Sequence, residues 1–147
     1  PKDPVHRHTD ITAVNIYVGT NVNDPRGIPY TVDQARAKIA SQREDIPDKP
    51  IIAGEWGSWS IRGMHTDYFP GEEYQAMKVA AIWNALREEA NVIGGFVWIF
   101  NDSDVHRRFL WVYEYRCSYG LFDIERNPKA AAFAMRDIWN KTPTFAD

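Results

Sequence analysis

The chain has 147 residues, 44% hydrophobic and 25% charged, which is enough for one ordinary domain with a sizeable core. A formal net charge of −3 leaves no electrostatic footprint for nucleic acid or an anionic membrane, and no run approaches the ~18 apolar residues of a membrane span. The single cysteine, Cys117, excludes an internal disulfide and reads as a small buried hydrophobe rather than a catalytic thiol.

The chain opens Pro1-Lys2-Asp3-Pro4 with neither an initiator Met nor a signal peptide. That is the expectation for a piece excised from a longer protein, and it leaves the compartment open. Ala13 to Val18 is β-branched and mostly apolar, and Gly19 follows it, so a strand is expected there. A loop rich in Asn, Asp, Pro and Gly runs to Tyr30. Thr31, with Gln34 three residues on, reads as a capping box opening a helix to about Asp45, with Ala35 and Ile39 on its inner face. Pro47 and Pro50 then lead into an apolar run, Ile51 to Glu55, the pattern of a buried parallel strand.

A long loop from Ser58 to Gly71 precedes a second helix, which Glu72 and Glu73 favour as acids in its first turn. Its core stripe is Tyr74, Met77, Ala81, Ile82, Ala85 and Leu86. Ile93 to Phe100 reads as a third strand. The loop from Asn101 to Gly120 is long, aromatic and basic, and long loops in compact domains are often functional. Asn127-Pro128 reads as a cap residue and a first-position proline opening a last helix to about Lys141. The order is βαβαβα, which requires parallel pairing and an α/β fold.

Parallel strands place their carboxyl ends on one rim, where α/β folds carry chemistry. Asn15 and Tyr17, Glu55 and Trp56, and Trp98 and Asp102 would meet there. On spacing alone, Glu55 fits a structural ion pair as well as a reactive carboxylate. A carboxylate, a phenol and indoles that can face a sugar ring suit glycoside hydrolysis, which needs one carboxylate at the anomeric carbon and a second carboxyl to protonate the leaving group. A Tyr17 hydroxyl bonded to Glu55 would keep it oriented and ionised. The histidines His6, His8 and His106 lack the tight spacing of a zinc site, and Asp102 and Asp104 read as cap or loop residues, so neither metal nor cofactor is expected.

Five segments in order resemble glycoside hydrolase family 2, in its β-glucuronidase branch. They are Asn15-Ile16-Tyr17-Val18-Gly19; Pro50 to Gly57 with Gly63-Met64-His65 and Glu72-Glu73-Tyr74-Gln75; Gly95 to Asp102; Gly120-Leu121-Phe122-Asp123; and Arg126 to Phe133. The resemblance runs from about Ala13 to Trp139. It implies that residues 1–147 are the C-terminal portion of the family's catalytic domain, the last three βα units of a TIM (β/α)8 barrel. It further implies that Glu55 is the nucleophile of a retaining reaction, that Tyr17 orients it, that Trp98 lines the sugar pocket, and that Asn15 and His65 are site-wall or structural residues; Trp56, next to Glu55, would offer a flat apolar face to a sugar ring.

Two departures matter. The family's acid/base Glu follows an Asn at the end of the fourth barrel strand, and no Asn-Glu pair occurs here. That strand is expected upstream of Pro1, so the chain by itself is expected to be inactive. The glucuronidase branch also carries an Asn-x-Lys that recognises the sugar carboxylate, where this chain reads Cys117-Ser118-Tyr119-Gly120. Arg116, Arg107 or Arg108 could replace it, since guanidinium forks bind carboxylates well, but a solvated basic loop is the plainer reading, and a neutral sugar such as a β-galactoside is the first expectation. Three strands cannot close an eight-stranded barrel, and Ile51, Ala53, Val97 and Ile99 would lose their partners inside it. The expected partners are therefore a carbohydrate substrate and either the rest of the parent barrel or a second copy of the chain. A non-catalytic sugar-binding or assembly piece is the competing reading.

Overall fold

The computed structural model describes residues 4–19, 27–105 and 116–142. Three parallel strands form one sheet in the order β1 (Thr12–Ile16), β2 (Ile51–Trp56), β3 (Val92–Val97). Helix α1 (Gly27–Asp45) lies between β1 and β2 in sequence, α2 (Glu72–Leu86) between β2 and β3, and α3 (Ala130–Trp139) after them. This is the expected α/β alternation, because each parallel pairing needs a crossover long enough for a helix. A two-stranded antiparallel ladder, β4 (Ser103–Asp104) with β5 (Arg116–Cys117), sits beyond β3. None of the described helices is long and apolar enough to cross a membrane.

The core lies between the sheet and its helices. Ile16, Ile51 and Ala53 pack in one cluster with Ala35 and Ile39 of α1, Val79, Ile82 and Leu86 of α2, and Met135 of α3. Ile51 and Ala53 are fully buried there, so they do not face an empty barrel interior as expected. The opposite face of β1 carries the exposed Ala13 and Asn15. Strand alternation explains the difference: residues two apart share a face, and a register shift in β2 resets the count before Trp56.

Trp56 also departs from expectation. Its ring is fully buried, stacks on Trp83 at 5.0 Å and 9°, and donates its indole N–H to the Val79 carbonyl at 3.3 Å. It offers no face to a sugar. In α2, Met77 is exposed while Tyr74, Ile82, Ala85 and Leu86 are buried.

Two helix starts move for local reasons. Helix α1 begins at Gly27, and Thr31 is buried one turn inside it, with its hydroxyl donating back to the Gly27 carbonyl at 3.3 Å. Pro29 occupies the first turn, where its missing N–H costs nothing. Asn127 does not cap α3. It closes a turn on Asp123, donating its backbone N–H at 2.7 Å and its side-chain amide at 3.0 Å. Helix α3 starts at Ala130, whose N–H donates to Glu72 Oε2 of α2 at 3.0 Å.

Removing a large buried ring leaves a cavity, so Trp56→Ala is expected to lower unfolding free energy by about 3–5 kcal/mol. Urea denaturation followed by far-UV circular dichroism measures it. A loss below about 0.5 kcal/mol, the range of exposed substitutions, would show that the ring does not serve the core.

Candidate functional site

The parallel register sets Asn15 beside Glu55 and Ile16 beside Trp56, with a shift in pairing between Val14 and Asn15. Tyr17 leaves β1 one residue later and donates its hydroxyl to Glu55 Oε2 at 2.6 Å. A hydrogen bond this short to a carboxylate is a charge-assisted one. Burial, then the bond to Glu55, then the carboxylate's charge push the Tyr17 phenol well above its ordinary range. The phenol therefore stays a donor at any physiological pH. Asn15 lies over β2 next to this pair. A Cβ on Gly54 would sit 2.8 Å from its Oδ1, closer than real contacts allow.

The third strand brings Trp98 to the same end. Its backbone N–H donates to the Trp56 carbonyl at 2.7 Å, carrying the β2–β3 pairing one step past the strand. Gly57 makes this approach possible, because a Cβ there would meet the Trp98 carbonyl oxygen at 2.2 Å. Trp98 is 37% exposed, and burial pushes the nearby Cys117 thiol up, so it stays protonated at neutral pH. Tyr119 completes the group. Its ring stands edge-on to Tyr17 at 6.5 Å and 88°.

Sequence reading missed the buried polar groups that hold this rim. Lys129 is fully buried and pairs with Asp102 at 3.1 Å, and the Asp102 side chain is itself only 3% exposed. Burial pushes Asp102 up and Lys129 down, against the attraction between them. Gln75 of α2 donates to the carbonyls of Ser58 at 2.8 Å, Tyr119 at 3.2 Å and Gly120 at 3.1 Å, and accepts from Ser60 at 2.7 Å. No local pattern announces these partners, which are 15 to 45 residues apart.

The structure thus joins Glu55, Tyr17, Asn15 and Trp98 at one rim and leaves three expected residues out. Trp56 is in the core. Arg116 is exposed, and its guanidinium lies 3.8 Å from Asp104. His65 is exposed and bonded to Glu73 at 2.9 Å, fastening the loop before α2 to that helix. His106, Arg107 and Arg108 lie outside the described residues. Among the described residues, no three His, Cys, Asp or Glu converge as a metal site would require.

No protein-family model matches the chain. A β-glucuronidase of Streptococcus agalactiae is 27% identical over 98% of this chain and 24% of its own length. The Rattus norvegicus β-glucuronidase is 36% identical over 68% of this chain and 16% of its own. Among solved structures, a Faecalibacterium prausnitzii β-glucuronidase superposes with a TM-score of 0.81 at 25% identity, covering 99% of this chain and 24% of that one. The chain therefore resembles the β-glucuronidases of glycoside hydrolase family 2 over nearly its whole length, and it spans 24% of the Streptococcus agalactiae relative's length and 16% of the Rattus norvegicus relative's.

The His65–Glu73 pair makes a pH prediction. The hydrogen bond and charge of Glu73 raise the His65 pKa above its ordinary 6.5. Its contribution to stability is then fully present below about pH 6.5 and fades as pH rises through the folded value. A proton NMR titration should place His65 above 6.5, with Glu73→Gln returning it towards that value. An unmoved His65 in the variant would break the pairing.

Proposed function

We propose that Glu55 is the nucleophile of a retaining β-glycosidase and that this chain contributes the last three βα units of its (β/α)8 catalytic barrel. The observation that carries the reading is the Tyr17–Glu55 hydrogen bond, 2.6 Å long and placed where the strands end. One carboxylate oxygen is held by the phenol, and the other is left to attack the anomeric carbon as the glycosidic C–O bond breaks. Water then releases the sugar from Glu55 with net retention. A preorganised donor beside the nucleophile keeps its charge and direction through both steps.

Retention needs a second carboxyl about 5–5.5 Å from the first, to protonate the leaving oxygen and later to activate water. The buried carboxylates beside the rim are committed elsewhere, Asp102 to Lys129 and Glu72 to Arg62. We therefore assign the acid/base group to a larger parent enzyme. The open edges of β1 and β3 and the exposed Phe96, Phe100, Phe133 and Trp139 support association with the rest of such a barrel or with a second copy.

The sugar is proposed to be neutral. Uronate recognition needs a cation, and the described cations near the rim are taken: Arg116 faces Asp104, and Lys129 is buried on Asp102. Cys117 and Tyr119 present a thiol and a phenol instead. This departs from the relatives, which are named β-glucuronidases.

A panel of nitrophenyl β-glycosides tests the whole reading. The isolated chain should be inactive. The chain extended upstream through the strand carrying the second carboxyl should hydrolyse one neutral glycoside best. In that form Glu55→Gln should cost at least about a thousandfold in kcat, and Tyr17→Phe roughly 10²–10³, the worth of one preorganised donor. Turnover by the isolated chain would refute the shared-carboxyl assignment, and a preference for the glucuronide would refute the neutral sugar. Inactivity of both forms would leave a sugar-binding or assembly role for the Tyr17 and Trp98 wall.

A further inference from the structure

We infer that Tyr119 is a positioning residue for the Tyr17–Glu55 pair, set in place by the buried Asp102–Lys129 ion pair together with Gln75. The inference rests on Glu55 and Tyr17 being the reactive pair. The proposed bond-making and bond-breaking steps use no atom of Tyr119, yet several buried groups anchor its segment.

The segment from Ser118 to Gly120 is fixed from several sides. Lys129 donates to the Ser118 carbonyl at 3.0 Å, and the Ser60 N–H reaches the same oxygen at 3.1 Å. Asp102 Oδ1 accepts the Gly120 N–H at 2.8 Å while holding Lys129. Gln75 bonds the Tyr119 and Gly120 carbonyls from the other side. Gly120 is required for this approach, since a Cβ there would meet the Asp102 nitrogen at 2.2 Å.

This anchoring leaves the Tyr119 side chain one place to go. It is 7% exposed, lies against Gly57 and turns its ring perpendicular to Tyr17. Edge-to-face packing is directional, because the positive ring edge seeks the negative ring face. Tyr17 sits just past the end of β1, where the β1–β2 pairing no longer fixes it. The Tyr119 ring supplies the missing constraint, so the phenol of Tyr17 meets Glu55 from one direction only.

The test uses this chain labelled with ¹³C at the tyrosine ζ carbons, and Tyr17→Phe identifies the Tyr17 signal. Tyr17 should remain un-ionised where exposed tyrosines titrate, near pH 10. Tyr119→Ala should lower the pH at which Tyr17 ionises, and Tyr119→Phe should restore the parent behaviour. The indole N–H signal of Trp56, bonded inside the core, reports that the fold is intact. If Tyr119→Ala disturbs Trp56 as well, Tyr119→Leu, which keeps volume but not the ring, decides by the same two signals. An unchanged Tyr17 with Trp56 intact overturns the inference. In the extended, active form Tyr119→Ala should lower kcat up to about tenfold at constant KM. An unmoved kcat there, with Glu55→Gln inactive, refutes Tyr119 alone; indifference to Glu55→Gln refutes the glycosidase reading instead.

Discussion

The junction of the two later helices hangs on one carboxylate. Glu72 is 1% exposed, in the first turn of α2, and its oxygens accept the N–H of Gly63 at 2.8 Å, the Arg62 guanidinium at 3.3 Å and the N–H of Ala130 at 3.0 Å. It therefore serves two helix N-termini at once. Both present N–H groups that lack intrahelical acceptors and the positive end of a helix dipole, which is where a buried negative charge is tolerated. Neither α2 nor α3 has a side-chain cap at its own N-cap residue. Arg62 extends the junction, reaching Asp123 at 3.2 Å and the Pro128 carbonyl at 3.1 Å. The loop after β2, the turn before α3 and both helices are thereby tied at one point, and the rim loops inherit their positions from it.

The same logic explains why so many charged and amide groups are buried here. Residues 57–71 and 118–129 lie outside the main sheet and helices, so only part of their backbone is satisfied by other backbone groups. Each buried carbonyl or N–H without a partner would cost about 1–3 kcal/mol. Gln75, Asp102, Lys129 and Glu72 supply such partners from regular elements or their edges, and all are 2% exposed or less. Lys129 shows the stakes. Its partner Asp102 is as buried as itself, and truncating one member of such a pair typically costs about 3–5 kcal/mol, because the other charge is left unpaired.

What the sequence disclosed and what it hid divide along that line. Parallel order, three helices and the rim position of Glu55 followed from apolar periodicity and turn residues, because those signals are local. Tyr17 beside Glu55 followed from strand order. The helix starts at Gly27 and Ala130 were missed, since Pro29 outweighed the Thr31 capping pattern and Asn127 found a better acceptor in Asp123. Trp56 was misplaced because a register shift changes which face a side chain takes. The buried bonds of Glu72, Gln75 and Lys129 had no local signal in the sequence. A residue's type does not reveal that a loop 45 positions away will need its hydrogen bonds.

The Tyr17–Glu55 bond gains meaning from the asymmetry of its two ends. A hydrogen bond between two acids can in principle shift its proton either way, and a nucleophile must never receive it. Burial and the neighbouring carboxylate both disfavour tyrosinate here, and Tyr119 adds to the same effect. The phenol is thus confined to the donor role, while the neutral Cys117 and the indole of Trp98 add no competing charge. In the proposed reaction the charge on Glu55 is consumed as it bonds to carbon and restored as water releases the sugar. A donor that neither ionises nor rotates follows that cycle without reorganising, which is where preorganised dipoles contribute most. Among the described residues, the rim thus sets Glu55 beside neutral aromatic groups, while Arg116 and Lys129 are ion-paired with Asp104 and Asp102.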